Sequence, residues 1–441
     1  MKLKENKKLK QSGITLIALV VTIAVLLILA GVTINAVFSD DGIIEKAKDA
    51  KNKMNEGIQK DQNEINSLAN WLQENLKDDT PAEKPTITDS SLKSDDRVTK
   101  PSETVIAKDI KDNQVVVPGG FKISDDSGES VEKGIVIEDK EGNQFVWVPV
   151  SNINGDGSNK IKKDDGSEVE ITLGRYTFET TSPGTPTLIQ KGSEYAQTTI
   201  ANVADKTVDT KYRIKNYWYE LSDSRISNEK SDATGTNTTA KNLKEFIEKT
   251  ETNKGFYIAR YEASYGSGYN ASGTTSAEKY GNAKPLSKVS TANSTSSMSY
   301  TTGILWNRIT QGQAAIVSQN MYKNDKYVES DLVNSYAWDT AIVYIQSMGN
   351  ENYANANRGT NTSLKNTGST GDQKCKIFDM AGNTNELTTE YSTNASSIDS
   401  APCTLRGGDY NYSYHYTSVR GGGTATLSNN NSSFRPLLYI K

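Results

Sequence analysis

Asp379-Met380-Ala381-Gly382-Asn383-Thr384-Asn385-Glu386-Leu387, then Leu405-Arg406-Gly407-Gly408, then Phe434-Arg435-Pro436, is the stretch on which the fold turns. Gly382 and the pair Gly407-Gly408 allow backbone conformations or close approaches that a side chain would block. Arg406 and Arg435 are expected to be buried guanidiniums that tie loops to carboxylates such as Glu262 or Glu386. Around them the sequence is rich in Ser, Thr, Asn, Gly and Tyr, and its apolar segments are short and separated by turn-forming clusters. That composition implies many short strands and long loops with few helices, an α+β domain. Strands are expected at 134–137, 144–150, 255–261 and 375–379, and helices at 240–250 and 335–347. The Ser/Thr/Gly/Asn-rich stretch 269–302 reads as a surface insertion.

Upstream, the character changes. The head 1–13 carries Lys2, Lys4, Lys7, Lys8 and Lys10 and ends in Ser12-Gly13. The uncharged apolar run 14–37 follows, long enough as a helix rising ~1.5 Å per residue to cross a hydrocarbon core of about 30 Å. The lysines are expected on the cytoplasmic side and the rest of the chain outside. The run passes without a small-residue cleavage site into 38–76, where Ile44, Ala47, Met54, Ile58, Ile65, Leu68 and Leu72 recur at helical spacing. Residues 77–114 are charged and Pro-spaced, which reads as a flexible stalk. The exterior domain is expected to span 115–441.

Gly13 directly before Ile14-Thr15-Leu16-Ile17 resembles the class III leader of type IV pilins and pseudopilins. The resemblance implies a peptidase cut between Gly13 and Ile14 and a helix that serves as anchor, with other pilin subunits as partners. The family's glutamate five residues past the cut is Ala18 here, which argues against a major filament subunit. In the exterior part, six segments in order resemble the formylglycine-generating-enzyme family, a variant of the C-type-lectin fold. They are Phe145-Val146-Trp147-Val148-Pro149, the run from Gly255 to Glu262, Trp338-Asp339, and the three stretches quoted first. The resemblance implies structural roles for Glu262, Arg406, Gly407, Gly408, Phe434 and Arg435. It also points to a structural calcium near Asn383 and Glu386, although Asn385 and Leu387 replace the family's flanking aromatics. Strands opening at Cys375 and Cys403 are neighbours in that fold, which suggests a disulfide between them; free buried thiols are the alternative.

The family's oxidases bind copper through two cysteines between the Arg-Gly-Gly and Phe-Arg segments, and 409–433 contains none. With His415 as the only histidine, no catalytic constellation is supported, and no cofactor beyond calcium is expected. A net charge of −4 offers nothing for nucleic acid. What remains is a recognition segment: Asp409, Tyr410, Asn411, Tyr412, Ser413, Tyr414, His415 and Tyr416, with Asn429, Asn430 and Asn431 alongside. Tyr supplies large amphipathic contacts at low entropy cost, and Ser and Asn adapt their hydrogen bonds. This arrangement looks like the variable proteins of diversity-generating retroelements, whose loops are rewritten at Asn codons. The expected function is therefore a membrane-anchored, cell-surface or pilus adhesin for an extracellular protein or glycan. An enzyme of the formylglycine-generating type and a minor pseudopilin of a secretion system are the alternatives.

Overall fold

The computed structural model describes residues 22–24, 102–195, 218–220, 243–357, 363–392, 403–411, 415–424 and 426–441. The leader with its Gly13–Ile14 junction, the apolar run other than 22–24, the segment 38–76 and the stalk to residue 101 lie outside the described residues. Residues 22–24 are helical. No helix among the described residues is long and apolar enough to cross a membrane. The chain divides into two units, 1–82 and 83–441, and the second carries the fold.

In that unit, eleven described strands build two principal sheets. In chain order they are β1 (Phe121–Ile123), β2 (Val136–Asp139), β3 (Gln144–Pro149), β4 (Trp218–Glu220), β5 (Gly255–Ala259), β6 (Val328–Leu332), β7 (Asn385–Ser392), β8 (Cys403–Arg406), β9 (Arg420–Gly423), β10 (Ser432–Phe434) and β11 (Pro436–Ile440). The first sheet runs β6-β11-β5-β3-β2-β1 and is antiparallel throughout. Its centre reads as near-continuous apolar sequence, Phe-Val-Trp-Val in β3 and Phe-Tyr-Ile-Ala in β5, because both faces are buried. The second sheet runs β4-β7-β8-β9, with β10 lying parallel to β7.

Four helices are described in this unit: α1 (Leu243–Asn253), α2 (Ser276–Tyr280), α3 (Gln311–Asn320) and α4 (Ser335–Ser347); α1, α3 and α4 pack on these sheets, and α2 packs on α3. Their starts are written in the sequence. Thr310 accepts the Gln313 N–H while the Gln313 side chain reaches back to the Thr310 amide, and Asn334 accepts the Ala337 N–H. α1 docks through Phe246, edge-on to Phe256 at 5.3 Å and to Tyr439 at 5.9 Å between ring centres.

Three expectations need correction. The boundary at residue 115 falls inside a hairpin, Val105–Lys108 paired with Gln114–Val117, so the folded domain starts before it; Val105 and Ala107 are buried, which fixes the hairpin to the core. The insertion 269–302 is not merely surface. Tyr280 joins Tyr265, Trp306, Leu387, Leu405 and Phe434 in a second apolar cluster, and Tyr269 stacks on Tyr300 beside it. Finally, the Cys375–Cys403 disulfide is not formed. Cys375 sits in left-handed backbone (φ 44°) beside Tyr344 in the larger core, whereas Cys403 opens β8 between Tyr391 and Gly423. Both thiols are free, and burial pushes each up to about 12.

Candidate recognition face and its buried framework

Antiparallel pairing sets Arg406 of β8 directly opposite Arg420 of β9. Two like charges at that spacing repel unless carboxylates lie between them. Glu390 of β7 and Asp339 of α4 fill that role. Glu390 accepts from Arg406 Nη1 at 3.1 Å, Arg420 Nε at 2.7 Å and, from a third strand, Arg175 Nη2 at 2.9 Å. Asp339 accepts from both Arg406 and Arg420 and from the Tyr176 amide. All five charged side chains are buried. Burial alone would raise the Glu390 carboxyl, but Arg420, Arg175 and Arg406 outweigh it and hold it at about 2.

A second buried knot lies at the Gly-Asn-Thr-Asn-Glu segment. Arg435 grips Glu386 with two bonds, Nε to Oε2 at 3.0 Å and Nη2 to Oε1 at 2.6 Å, and donates to the carbonyls of Ala259 and Phe378. Glu262 accepts from the Asn383 amide, the Thr384 N–H and the Thr384 hydroxyl. Burial raises Glu262 well above the usual carboxylate range, with Asp379 and Glu386 adding to the effect. Asp379 takes bonds from the Thr370 hydroxyl and the Gly368 N–H, yet burial first, and Asp372 besides, leave it at about 6. The residues singled out for calcium are thus held by protein groups: Glu386 by Arg435, and the Asn383 amide oxygen by the Lys365 N–H at 2.9 Å. Among the described residues no three His, Cys, Asp or Glu side chains are grouped to hold a metal ion.

From this framework two loops project. Gly407 (φ 79°) turns the chain out of β8; a Cβ there would lie 2.7 Å from the Met380 carbonyl oxygen and 3.2 Å from the Trp338 ring. Asp409 is fully buried and accepts from the Asn411 N–H at 2.7 Å, the Asn431 amide at 3.2 Å and His415 Nδ1 at 2.9 Å. The Asn385 amide also lies 3.2 Å from that nitrogen, but it donates to the Gly407 carbonyl, so we assign the Nδ1 proton to the bond with the Asp409 carboxylate, the stronger acceptor. Tyr410 is buried, its N–H bonded to the Asn383 carbonyl and its hydroxyl accepting from the Asn430 amide at 2.7 Å.

The structure therefore joins the two segments the sequence singled out, but divides their residues. Asp409, Tyr410 and Asn431 are buried supports rather than exposed contacts, because their polar atoms are what pin one loop to the other. Asn411, Asn429 and Asn430 are exposed, and His415 and Tyr416 half-buried. Tyr412, Ser413 and Tyr414 lie outside the described residues. A third wall was not legible: Asn307 donates to the Asn430 carbonyl at 2.8 Å, and the Arg308 N–H to the Asn429 carbonyl at 3.0 Å. Nothing in the apolar run Ile304-Leu305-Trp306 before them signals that role.

No family model matches the chain, and no curated protein matches it. Among solved structures the chain is similar to CarF, at 13% identity over 43% of this chain and 87% of that one, with a TM-score of 0.30. It is similar to the Treponema denticola variable protein 1, at 12% identity over 42% and 96% of the two chains, with a TM-score of 0.23. Similarity to the U1 variant of the Major Tropism Determinant extends over 81% of this chain and 99% of that one, at 13% identity and a TM-score of 0.26.

Proposed function

We propose that this chain is a surface protein that raises a non-catalytic, C-type-lectin-like recognition domain from a membrane anchor, acting as an adhesin. One observation carries the reading: exposed Asn411, Asn429 and Asn430 stand on loops whose buried residues, Asp409, Tyr410 and Asn431, fasten them to each other and to a charged core. Adaptable polar side chains on a rigid support are what recognition requires, since ordering entropy is then lost at folding rather than at binding. The Lys-rich head and apolar run support export and anchoring, with pilin subunits as neighbours, and the Asn/Tyr/Ser composition of the loops supports sequence diversification there. The ligand is extracellular, a protein or glycan, and not nucleic acid.

The test is attachment of the full-length protein, in detergent micelles, to a glycan array and to whole cells. Asn429→Ala and Tyr416→Ala should reduce attachment at least tenfold while leaving the melting temperature within a degree or two; Asn430→Ala should reduce it as well but also lower the melting temperature, because it strands the buried Tyr410 hydroxyl. Attachment unchanged by all three would remove the face from consideration.

A further inference from the structure

Among the described residues, Arg308 departs from a pattern in which arginines drawn into the fold meet carboxylates. Arg175, Arg406, Arg420 and Arg435 all meet carboxylates, and Arg260 meets Asp126. The Arg308 guanidinium meets none among the described residues, although its side chain is half-buried and its Nε is sealed from solvent without a hydrogen-bond partner. It also stands in left-handed backbone, φ 55°, which an arginine adopts only against a steric penalty. Its amide is tied to the Asn429 carbonyl, and its charge acts on the hydroxyl of Tyr410, which is bonded to Asn430. An unpaired guanidinium, a strained backbone and a ring of exposed amides thus coincide at the recognition face.

We infer that Arg308 receives the carboxylate of an acidic sugar, a hexuronic acid or a relative, whose hydroxyls are met by Asn411, Asn429 and Asn430. This rests on the recognition reading above and deepens it. A guanidinium presents its two terminal nitrogens to a carboxylate in two parallel bonds, and those of Arg308, unlike its sealed Nε, are not closed to solvent. Each asparagine amide offers one donor group and one acceptor, which is the complement of a sugar hydroxyl. A protein partner fits less well. Protein interfaces need an apolar centre, yet the exposed large apolar residues among those described are Ile23, Ile110 and Val289, none of them in the segments that form this face.

The test titrates the full chain in micelles with methyl glucuronide, with uncharged methyl glucoside, with an Asp-Glu dipeptide blocked at both ends, and with sulfate, followed by ligand-observed magnetic resonance. The glucuronide should bind roughly tenfold or more tightly than the glucoside, the range expected for one charge-assisted contact. Arg308→Gly should abolish that preference and raise the melting temperature, because glycine relieves the left-handed backbone. Arg308→Lys should keep part of the preference, having the charge without the fork. Equal binding of glucuronide and glucoside, a preference that survives Arg308→Gly, or tighter binding of dipeptide or sulfate than of glucuronide would each overturn the inference. If the glucuronide fails while Asn429→Ala still abolishes attachment to cells, the sugar assignment falls and the recognition face stands. If neither probe nor cells bind, both fall.

Discussion

Replacing Glu390 with glutamine leaves Arg175, Arg406 and Arg420 facing a single carboxylate, Asp339, in a site closed to water. Two routes give the cost. A carboxyl held at about 2 rather than its ordinary 4.5 contributes about 3 kcal/mol of folding free energy at neutral pH, at 1.36 kcal/mol for each tenfold change. Breaking a buried ion pair by removing one partner typically costs about 3 to 5 kcal/mol, most of it the stranded charge. The direction with pH follows from the depressed folded value. The contribution is present above about 4.5, and it is lost as pH falls toward 2. Urea unfolding of the wild type and Glu390→Gln between pH 7 and pH 3 measures both. The variant should be less stable by about 3 to 5 kcal/mol at pH 7, and the gap should narrow as the wild type loses its own contribution in acid. A gap below about 1 kcal/mol at pH 7, constant with pH, would mean that the guanidiniums find other anions or water, and the framework argument would fail.

Other outcomes follow from the same reasoning. Asp379, raised to about 6 in the fold from an ordinary 3.8, contributes stability that is full below about 3.8 and lost as pH rises through 6; Asp379→Asn should flatten stability across that interval, as melting curves from pH 4 to 7 would show, and an unchanged slope would contradict it. Cys375 and Cys403 should resist iodoacetamide in the native protein at pH 8 and both react in urea without any reductant, by mass spectrometry; one bridged pair after denaturation would restore the disulfide. Gly408→Ala should cost about 1 to 3 kcal/mol, since its Cβ would lie 2.3 Å from the Ala381 carbonyl oxygen, and urea midpoints would reveal a tolerated methyl if the loop gives way. N-terminal sequencing of membrane-extracted protein should begin at Ile14; a start at Met1 would remove the pilin-like reading.

What the sequence disclosed follows from local chemistry. The helix expected at 335–347 is found at Ser335–Ser347, and β3 and β5 fall within the apolar runs that predict them. Arg435 finds Glu386, one of the two carboxylates expected for it. Arg406 does not; its partners, Glu390 and Asp339, lie 16 and 67 residues away. Arg175, Arg420 and Glu390 went unread because a charged residue in a polar strand looks solvated until tertiary pairing buries it. The same holds for Tyr410, whose setting among Asn and Ser suggested a contact surface, while the structure turns its hydroxyl inward to Asn430. The aromatic cluster of 265–306 was hidden by dilution, since its tyrosines stand apart in a Ser/Thr-rich stretch and meet only when the insertion folds back.

The position of β11 sets the order of assembly. This strand, formed by residues 436–440, lies inside the larger sheet with β6 on one side and β5 on the other, so Leu437 and Leu438 pair with residues made some 180 positions earlier. While synthesis proceeds, β5 and β6 each have an unpaired edge, and the sheet cannot close until nearly all of this sequence has emerged. Such late, distant pairing makes for slow folding, and both edges stay open to other chains until β11 arrives.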